Sequence, residues 1–394
     1  MKAIVFGAGK IARGFVGHLL QLSGYSTVFV DVHLPLVELL NARRSYEVHI
    51  MGNPGRSGKV TSVSAILLSD VEAIAREWAK ADIGFVAVGG KNLAALGAIL
   101  GRAFQARYEQ GTVRGPVNLV VCENWKQPAI ELRQAIRAQL AGAAIEAFDC
   151  WVGIAESAVM RSGVDPTPEM LKEDPLCCRM SDYWELPVDE EALVGSPPPI
   201  QGVQYMDGFA GFLERKFYTY NAANGTVSYL GFLRGHEQLF AAATDPGIVN
   251  ILDGVYSETS AALAQKYGIP LEEQLVFSQS SRKKLQDPNI DDSIERNARD
   301  PVRKLGPDDR LVGSARLVLQ QGGTPRHLAI SIAAALYYEH PEDPIAFQLK
   351  EMRLDPARGT DYILQHICRL APEDPLTGLV RDGVAQLREK GWIV

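Results

Sequence analysis

Short apolar runs alternate with longer amphipathic stretches through the first half of the chain, and the alternation stops in the second half. Ala3 to Phe6 is a compact apolar run that ends in a turn at Gly7-Ala8-Gly9. From Ile11 the apolar positions recur at helical spacing through Phe15 and Leu19, and the pattern closes near Gly24. STVFVDVH, IGFVAVGG (Ile83 to Gly90) and VNLVVCEN (Val117 to Asn124) read as further buried strands, with a helical period in KNLAALGAILGRAFQARYEQG between the last two. Strands alternating with helices predict a parallel sheet with crossover connections. SYEVHIMG and GKVTSVSAILL read as strands inserted after the second of these units, and EAFDCWVGIAESAVMRS as strand-like, then irregular.

The prolines of LVGSPPPIQGVQ stop both a helix and a central strand, which places a boundary between residues 1–198 and 199–394. Beyond Met206 strand signals nearly vanish. AGFLERKFYTYNAANGTVSYLGFL, GIVNILDGVYSETSAALAQKYG, DDRLVGSARLVLQQ, RHLAISIAAALYYEH and DPLTGLVRDGVAQLREKG all carry a helical period. The expected class is α/β: a doubly wound N-terminal sheet followed by a mainly helical C-terminal domain.

The strand, glycine turn and helix at the start form a dinucleotide-binding pattern. Gly7 permits the tight turn, Gly9 leaves room for a pyrophosphate, and Ala12 lets helix and strand approach. Lys10 and Ile11 open the helix whose free N–H groups face the phosphates, and Gly14 is a further small residue on it. Asp31 ends the second strand where an acid binds the adenosine ribose hydroxyls and repels a 2′-phosphate, which favours NAD over NADP. Ligands gather at the carboxyl ends of such strands, so Val88, Gly89 and Gly90 belong near the cofactor, with Glu123 and Asn124 on the same edge. Asn124 reads equally as a simple turn former.

A length of 394 residues suits two domains, and 46% apolar with 22% charged residues is ordinary for a chain with full cores. The net charge of −7 argues against a nucleic-acid or anionic-membrane surface, so an anionic substrate would need a local basic pocket. Cys122, Cys150, Cys177, Cys178 and Cys368 show no zinc spacing and read as reduced thiols of a cytoplasmic protein. Glycines and Arg13 interrupt the N-terminal apolar run too soon for a signal peptide, and no stretch is clean enough to span a membrane. The seven histidines are scattered, without a two-histidine spacing on one helix, so neither a metal site nor a Ser/His/Asp arrangement is expected.

Two stretches remain as candidate chemistry. In KFYTYNAAN, at about 100° per residue, Asn221 lies about 140° and Asn224 about 80° from Lys216, within one broad helix face. A solvated surface is the usual fate of such a lysine; the other reading is a proton acceptor. DDSIERNARDPVRKLGPDDR concentrates Arg296, Arg299, Arg303, Lys304 and Arg310 among acids. It reads either as a solvated helix face or as a cradle for an anionic or polyhydroxylated substrate.

FGAGKIARGF, VDV, NARRSYEVHIMG, AVG, CEN, ERKFYTYN, SYLG with Gly235-His236, and ERNARDPVRKLGPDDRL, in that order, resemble the long-chain polyol-specific dehydrogenases, the mannitol dehydrogenase family. The resemblance runs through nearly the whole chain. It implies a Rossmann-type domain followed by a helical substrate domain. It also implies metal-free, NAD-dependent interconversion of mannitol 1-phosphate and fructose 6-phosphate. The alternatives are the same chemistry on an unphosphorylated hexitol or a hexuronate, or a non-catalytic NAD-binding protein. The partners expected are a sugar alcohol or sugar phosphate, with no nucleic acid and no membrane, and the chain is expected as a monomer or homodimer.

The resemblance further implies Lys216 as general base and Asn221 beside it in a K-x-x-x-x-N-x-x-H pattern, and Asn124 as the asparagine after CE. It implies substrate contacts from Arg296 and Lys304, with Arg299 between them. A lysine whose charge is disfavoured by burial accepts the hydroxyl proton, and the amides of Asn124 and Asn221 donate to the developing alkoxide. Two positions depart from the pattern. Asn224 replaces the histidine, which makes it the expected site of altered hydroxyl recognition. Met160 replaces the second of two acids near GIAESAVMRS, where Glu156 and Arg161 remain.

Overall fold

The computed structural model describes residues 1–113 and 115–393. The chain divides into two units, Met1–Phe209 and Ala210–Val394. The strands are β1 (Lys2–Phe6), β2 (Ser26–Asp31), β3 (Tyr46–Ile50), β4 (Gly58–Val60), β5 (Val63–Leu67), β6 (Ile83–Val86), β7 (Val117–Val121), β8 (Val152–Glu156), β9 (Gly163–Val164), β10 (Cys178–Met180), β11 (Leu186–Asp189) and β12 (Val203–Met206).

Six of them form one parallel sheet in the order β5-β2-β1-β6-β7-β8. β6 and β7 are buried along their whole length, and β1 from Ala3 onward. Their sequences therefore read as continuous apolar runs, because helices cover both faces. On one face Ala3, Val5, Phe29, Phe85 and Val120 pack with Phe15 and Leu19 of the first helical segment. On the other, Ile4, Phe6, Val30, Val86 and Leu119 pack with Trp78, Leu100 and Phe104. Strand order runs outward in opposite directions from β1 and β6, so the crevice at their carboxyl ends is the topological switch point.

Three sequence expectations change. GKVTSVSAILL is two strands in two sheets: Ser62 takes a φ of 57°, turning the chain between β4 and β5. β4 joins a small sheet, β4-β3-β10-β9, while β5 becomes the edge of the main one. EAFDC belongs to a helix, Ala143–Trp151, that buries Ala144 and Phe148 one turn apart, and β8 starts only at Val152. The first unit runs past the prolines to Phe209, because β12 pairs in parallel with β11.

The helix after the glycine turn starts as a π turn, Ala12–Gly17, and becomes α-helical at His18–Leu22. Side chains from elsewhere hold the widened turn. Tyr46 Oη donates to the Arg13 carbonyl at 2.8 Å and Arg161 Nη1 to the Gly14 carbonyl at 3.1 Å. Arg161 is buried, and its guanidinium lies 4.3 Å from the Trp184 ring centroid and 5.1 Å from that of Phe15.

The second unit is helical among its described residues. Its core gathers Val227 and Leu230, Leu252 and Val255, Val312 and Ala315, Leu328 and Ile332, and Val380 and Leu387. Among the described residues no helix is long and apolar enough to cross a membrane.

Gly7 is the tightest point of the glycine turn, with φ +96° and a Cβ direction that ends 2.2 Å from the Ala87 carbonyl oxygen. Gly7→Ala is expected to lose about 1–3 kcal/mol from the backbone conformation alone, with the clash adding to it. Urea unfolding should show this as a lower midpoint at unchanged slope, and an unmoved midpoint would contradict this account of the turn.

Candidate active site

The carboxyl ends of β1, β2, β6 and β7 are stitched into one edge. Gly7 N–H donates to the Val30 carbonyl at 2.7 Å, Ala87 N–H to Phe6 at 2.8 Å, and Cys122 N–H to Val86 at 2.7 Å. Asp31 closes over this edge. One of its oxygens accepts from Ala8 N–H at 2.7 Å and the other from His33 N–H at 3.0 Å, which pins the carboxylate beside the glycine turn. A Cβ on Gly9 would meet nothing within 4 Å, so the start of the helix is open to a phosphate.

Lys10, at the helix start, pairs with Asp165 at 2.6 Å, and Ile11 is half-buried. Gly14 faces elsewhere: a Cβ there would lie 2.5 Å from Met180 Sδ and 2.9 Å from Cys178 Cβ. Its smallness serves the approach of the helix to β10, a packing role that the sequence reading gave to Ala12. Gly89 N–H donates to Glu123 Oε1 at 2.7 Å and Val88 N–H donates to the same carboxylate, whose proton affinity burial raises. The loops after β6 and β7 thus brace each other, and Trp125 fills the space beside Gly90. Asn124 follows Glu123 and is exposed; among the described residues its side-chain amide has no hydrogen-bond partner.

In the second unit the helix Phe209–Lys216 passes into a π turn, Phe217–Asn221, and then into the helix Ala222–Leu233. This changes the angles expected from sequence. A π turn absorbs one extra residue, so Asn221 takes the place of residue i+4 and Asn224 that of i+7. At about 100° per residue these fall roughly 40° and 20° to either side of Lys216. The broad face narrows to one column.

Lys216 is half-buried, and among the described residues its ammonium group has no hydrogen-bond or acidic partner. Burial and the positive charge of Arg310 push its pKa down. The neighbouring Arg215 is spent elsewhere, on Glu273 at 2.9 Å and Gln274 Oε1 at 2.6 Å. A lysine of this kind becomes a neutral amine at lower pH than an exposed one and accepts a proton.

The basic stretch divides. Arg296 lies on an exposed face and forks onto Asp292 at 2.9 and 3.1 Å, and Arg299 is exposed and paired with Glu295. Lys304 is buried and donates to the Asn297 carbonyl at 2.6 Å. Burial, with Arg310 and Arg303 beside it, pushes Lys304 down to about 7. Asn224 Nδ2 donates to Asn297 Oδ1 at 3.0 Å, so Asn224 and Lys304 meet through Asn297.

Asn297 and Lys284, which stand beside these groups, were not singled out in the sequence, and Arg310 was named only within the basic stretch. Lys284 is on the helix Leu271–Leu285, which packs on the π turn through Gln274 and Thr219 at 2.9 Å. Burial and the charge of Lys216 push Lys284 down to about 8. Arg310 and Asn297 were legible as members of the basic stretch but carried no mark separating them from its solvated residues. Among the described residues, no group of three His, Cys, Asp or Glu side chains could hold a metal ion.

The profile of the Mannitol dehydrogenase Rossmann domain matches residues 1–202, and that of the Mannitol dehydrogenase C-terminal domain matches residues 209–360. The chain belongs to the mannitol dehydrogenase family. Relatives include a mannitol-1-phosphate 5-dehydrogenase of Brevibacillus brevis, 33% identical over 394 residues and covering 99% of both chains. One of Bacillus pumilus is 33% identical over 380 residues, covering 95% of this chain and 97% of that protein. Among solved structures, mannitol 2-dehydrogenase of Pseudomonas fluorescens, in a ternary complex with NAD and D-mannitol, aligns with a TM-score of 0.71 at 16% identity. That alignment covers 100% of this chain and 92% of that one. A D-sorbitol dehydrogenase aligns with a TM-score of 0.78 at 15% identity, over 99% and 93%. At these identities the structural likeness is one of fold.

For this family member, the pairing of a depressed lysine with Arg310 has a measurable sign. A base must be neutral to act, so kcat/KM for hydroxyl oxidation should rise with pH and level off below the ordinary lysine value of 10.5. Arg310→Gln removes a positive neighbour, stabilises the ammonium form, and should move that midpoint upward. A midpoint that stays in place or falls would show that Arg310 does not act on Lys216.

Proposed function

We propose that this protein is an NAD-dependent dehydrogenase that interconverts mannitol 1-phosphate and fructose 6-phosphate, with Lys216 as the general base. One observation carries the mechanism: a half-buried lysine without an acidic partner heads a column that also holds Asn221 and Asn224. The substrate is supported by near-full-length relatives named mannitol-1-phosphate 5-dehydrogenase. The cofactor is supported by the pinned carboxylate of Asp31, the room over Gly9 and the open helix start. NAD, when bound, supplies the hydride acceptor.

The residues of the chain do the rest. Gly7 and Gly9 let the backbone approach the pyrophosphate, and Asp31 accepts from ribose hydroxyls. Lys216 takes the proton of the reacting hydroxyl. The amides of Asn221 and Asn124 donate to the oxygen that becomes anionic; they do not titrate and remain donors throughout. Lys304 provides charge for an anionic group: with its ammonium near neutrality, binding a phosphate would restore the proton that burial disfavours. A cytoplasmic location fits the reading of the cysteines as reduced thiols, since the five are free and four of them buried.

Lys216→Ala is expected to lose turnover on the order of 10²-fold or more while NADH binding, followed by fluorescence titration, is retained. Undiminished turnover would end the assignment of the base. The substrate is decided by following NADH oxidation with fructose 6-phosphate, fructose and fructuronate in turn; turnover with fructose 6-phosphate alone is expected. Lys304→Met should raise KM for fructose 6-phosphate by roughly 10- to 100-fold, the worth of a charged hydrogen bond. Equal rates on all three substrates would overturn the phosphate requirement.

A further inference from the structure

The hydrogen bonds around Asn297 fix which way the amide of Asn224 faces. The chain of hydrogen bonds is anchored at Ser293. Its main-chain carbonyl can only accept, and Asn297 Nδ2 donates to it at 2.9 Å. That sets the Asn297 amide with its oxygen toward Asn224, and Asn224 Nδ2 donates to this oxygen at 3.0 Å. Asn224 has no freedom to turn its amide over, because the reversed orientation would set oxygen against oxygen. Among the described residues no donor reaches Asn224 Oδ1. Its amide oxygen is therefore a fixed acceptor, beside the one Nδ2 hydrogen that Asn297 does not use.

The surroundings make the arrangement rigid. Asn297 lies on a helix of five residues, Ile294–Ala298, too short to persist alone. It is clamped to the helix Ala222–Leu233, on which Asn224 lies: Tyr229 Oη donates to the Ala298 carbonyl at 3.1 Å, and a Cβ on Gly231 would stand 2.8 Å from Ile294 Cδ1. The main-chain carbonyl of the same Asn297 receives the Lys304 ammonium at 2.6 Å. One residue thus separates two kinds of recognition: an acceptor at Asn224 and a cation at Lys304.

We infer that Asn297 is a specificity-determining positioning residue, which holds the Asn224 amide so that its oxygen accepts from a hydroxyl of the sugar chain. This rests on the reading of the site as a polyol-phosphate dehydrogenase. A hydroxyl donates to Asn224 Oδ1 without cost, whereas a phosphate or carboxylate oxygen there meets a second acceptor. The acceptor at Asn224 sets the register of the carbon chain, and Lys304 supplies the charge for its phosphate.

The test is a ratio of kcat/KM values for mannitol 1-phosphate and its monodeoxy analogues, each lacking one hydroxyl other than the reacting one. In the unmodified enzyme one analogue should be penalised by roughly 10- to 100-fold, because its absence leaves Asn224 Oδ1 unpaired. Asn297→Leu frees the Asn224 amide to reverse and should cut that penalty at least severalfold, with NADH affinity unchanged. A penalty unchanged in folded Asn297→Leu overturns the inference. If that variant does not fold, Asn224→Ala decides the same question, since it should abolish the same penalty, and its persistence there is equally fatal. Turnover of unmodified enzyme on mannitol 1-phosphate is read separately. If mannitol alone is oxidised, the phosphate assignment fails, and the deoxy ratios measured on deoxymannitols still settle the role of Asn297.

Discussion

The single residue absorbed by the π turn at Phe217–Asn221 sets the phase of everything on the helix beyond it. In a regular α-helix Asn221 would point well away from Lys216. With the extra residue taken up, Lys216, Asn221 and Asn224 share one column, while Val227 and Leu230 still reach the core. A π turn makes poorer use of its backbone than an α turn, and its presence needs support from outside the helix. That support is tertiary. Thr219 is buried and accepts from Gln274, the Tyr220 ring meets Phe277 edge-on at 5.1 Å, and the Arg310 guanidinium lies 5.5 Å from the Phe217 ring centroid. A second π turn, at Ala12–Gly17, is held in the same way by Tyr46 and Arg161. Both candidate subsites are thus entered by helices whose winding depends on residues distant in sequence.

Charge is organised locally against the trend of the whole chain. The protein is acidic overall, yet with burial the charge of Arg310 depresses Lys216 and Lys304, and that of Lys216 depresses Lys284. The acids among them are committed to structure. Asp309 pairs with both Arg303 and Arg310, and Asp300 caps the short helix Pro301–Lys304 by accepting from Arg303 N–H. What remains is an excess of cations, two of them titrating near neutral pH, in surroundings that strengthen their effect on a bound anion. In the proposed mechanism one chemical type serves two ends: a depressed lysine without an acidic partner acts as the base, and a depressed lysine on a carbonyl as the anion site.

Much of the first unit was legible because dinucleotide sites use the backbone, and the backbone's demands appear as glycines at fixed spacing. Gly7, Gly9 and Asp31 stand as expected in the glycine turn and against it. Gly14 belongs to packing against β10, a contact that depends on a strand far along the chain. The helix at Ala143–Trp151 was missed because it buries only Ala144 and Phe148 and runs directly into a true strand. The charged stretch was legible as a concentration of charge but not as a division into surface and site. Arg296 and Arg299 are spent on acids one turn away, whereas Lys304, equally charged in the sequence, is buried.

Local patterns therefore determined the inner strands of the parallel sheet, the glycine turn and the helical second half, since each depends on residues close together in the chain. Tertiary structure decided the rest: the winding that aligns Asn221 and Asn224 with Lys216, the burial that lowers three lysines, and the orientation of the Asn224 amide. Those properties arise from low-dielectric surroundings and from hydrogen-bond partners supplied by other helices. Neither is encoded in the spacing of the residues that carry them.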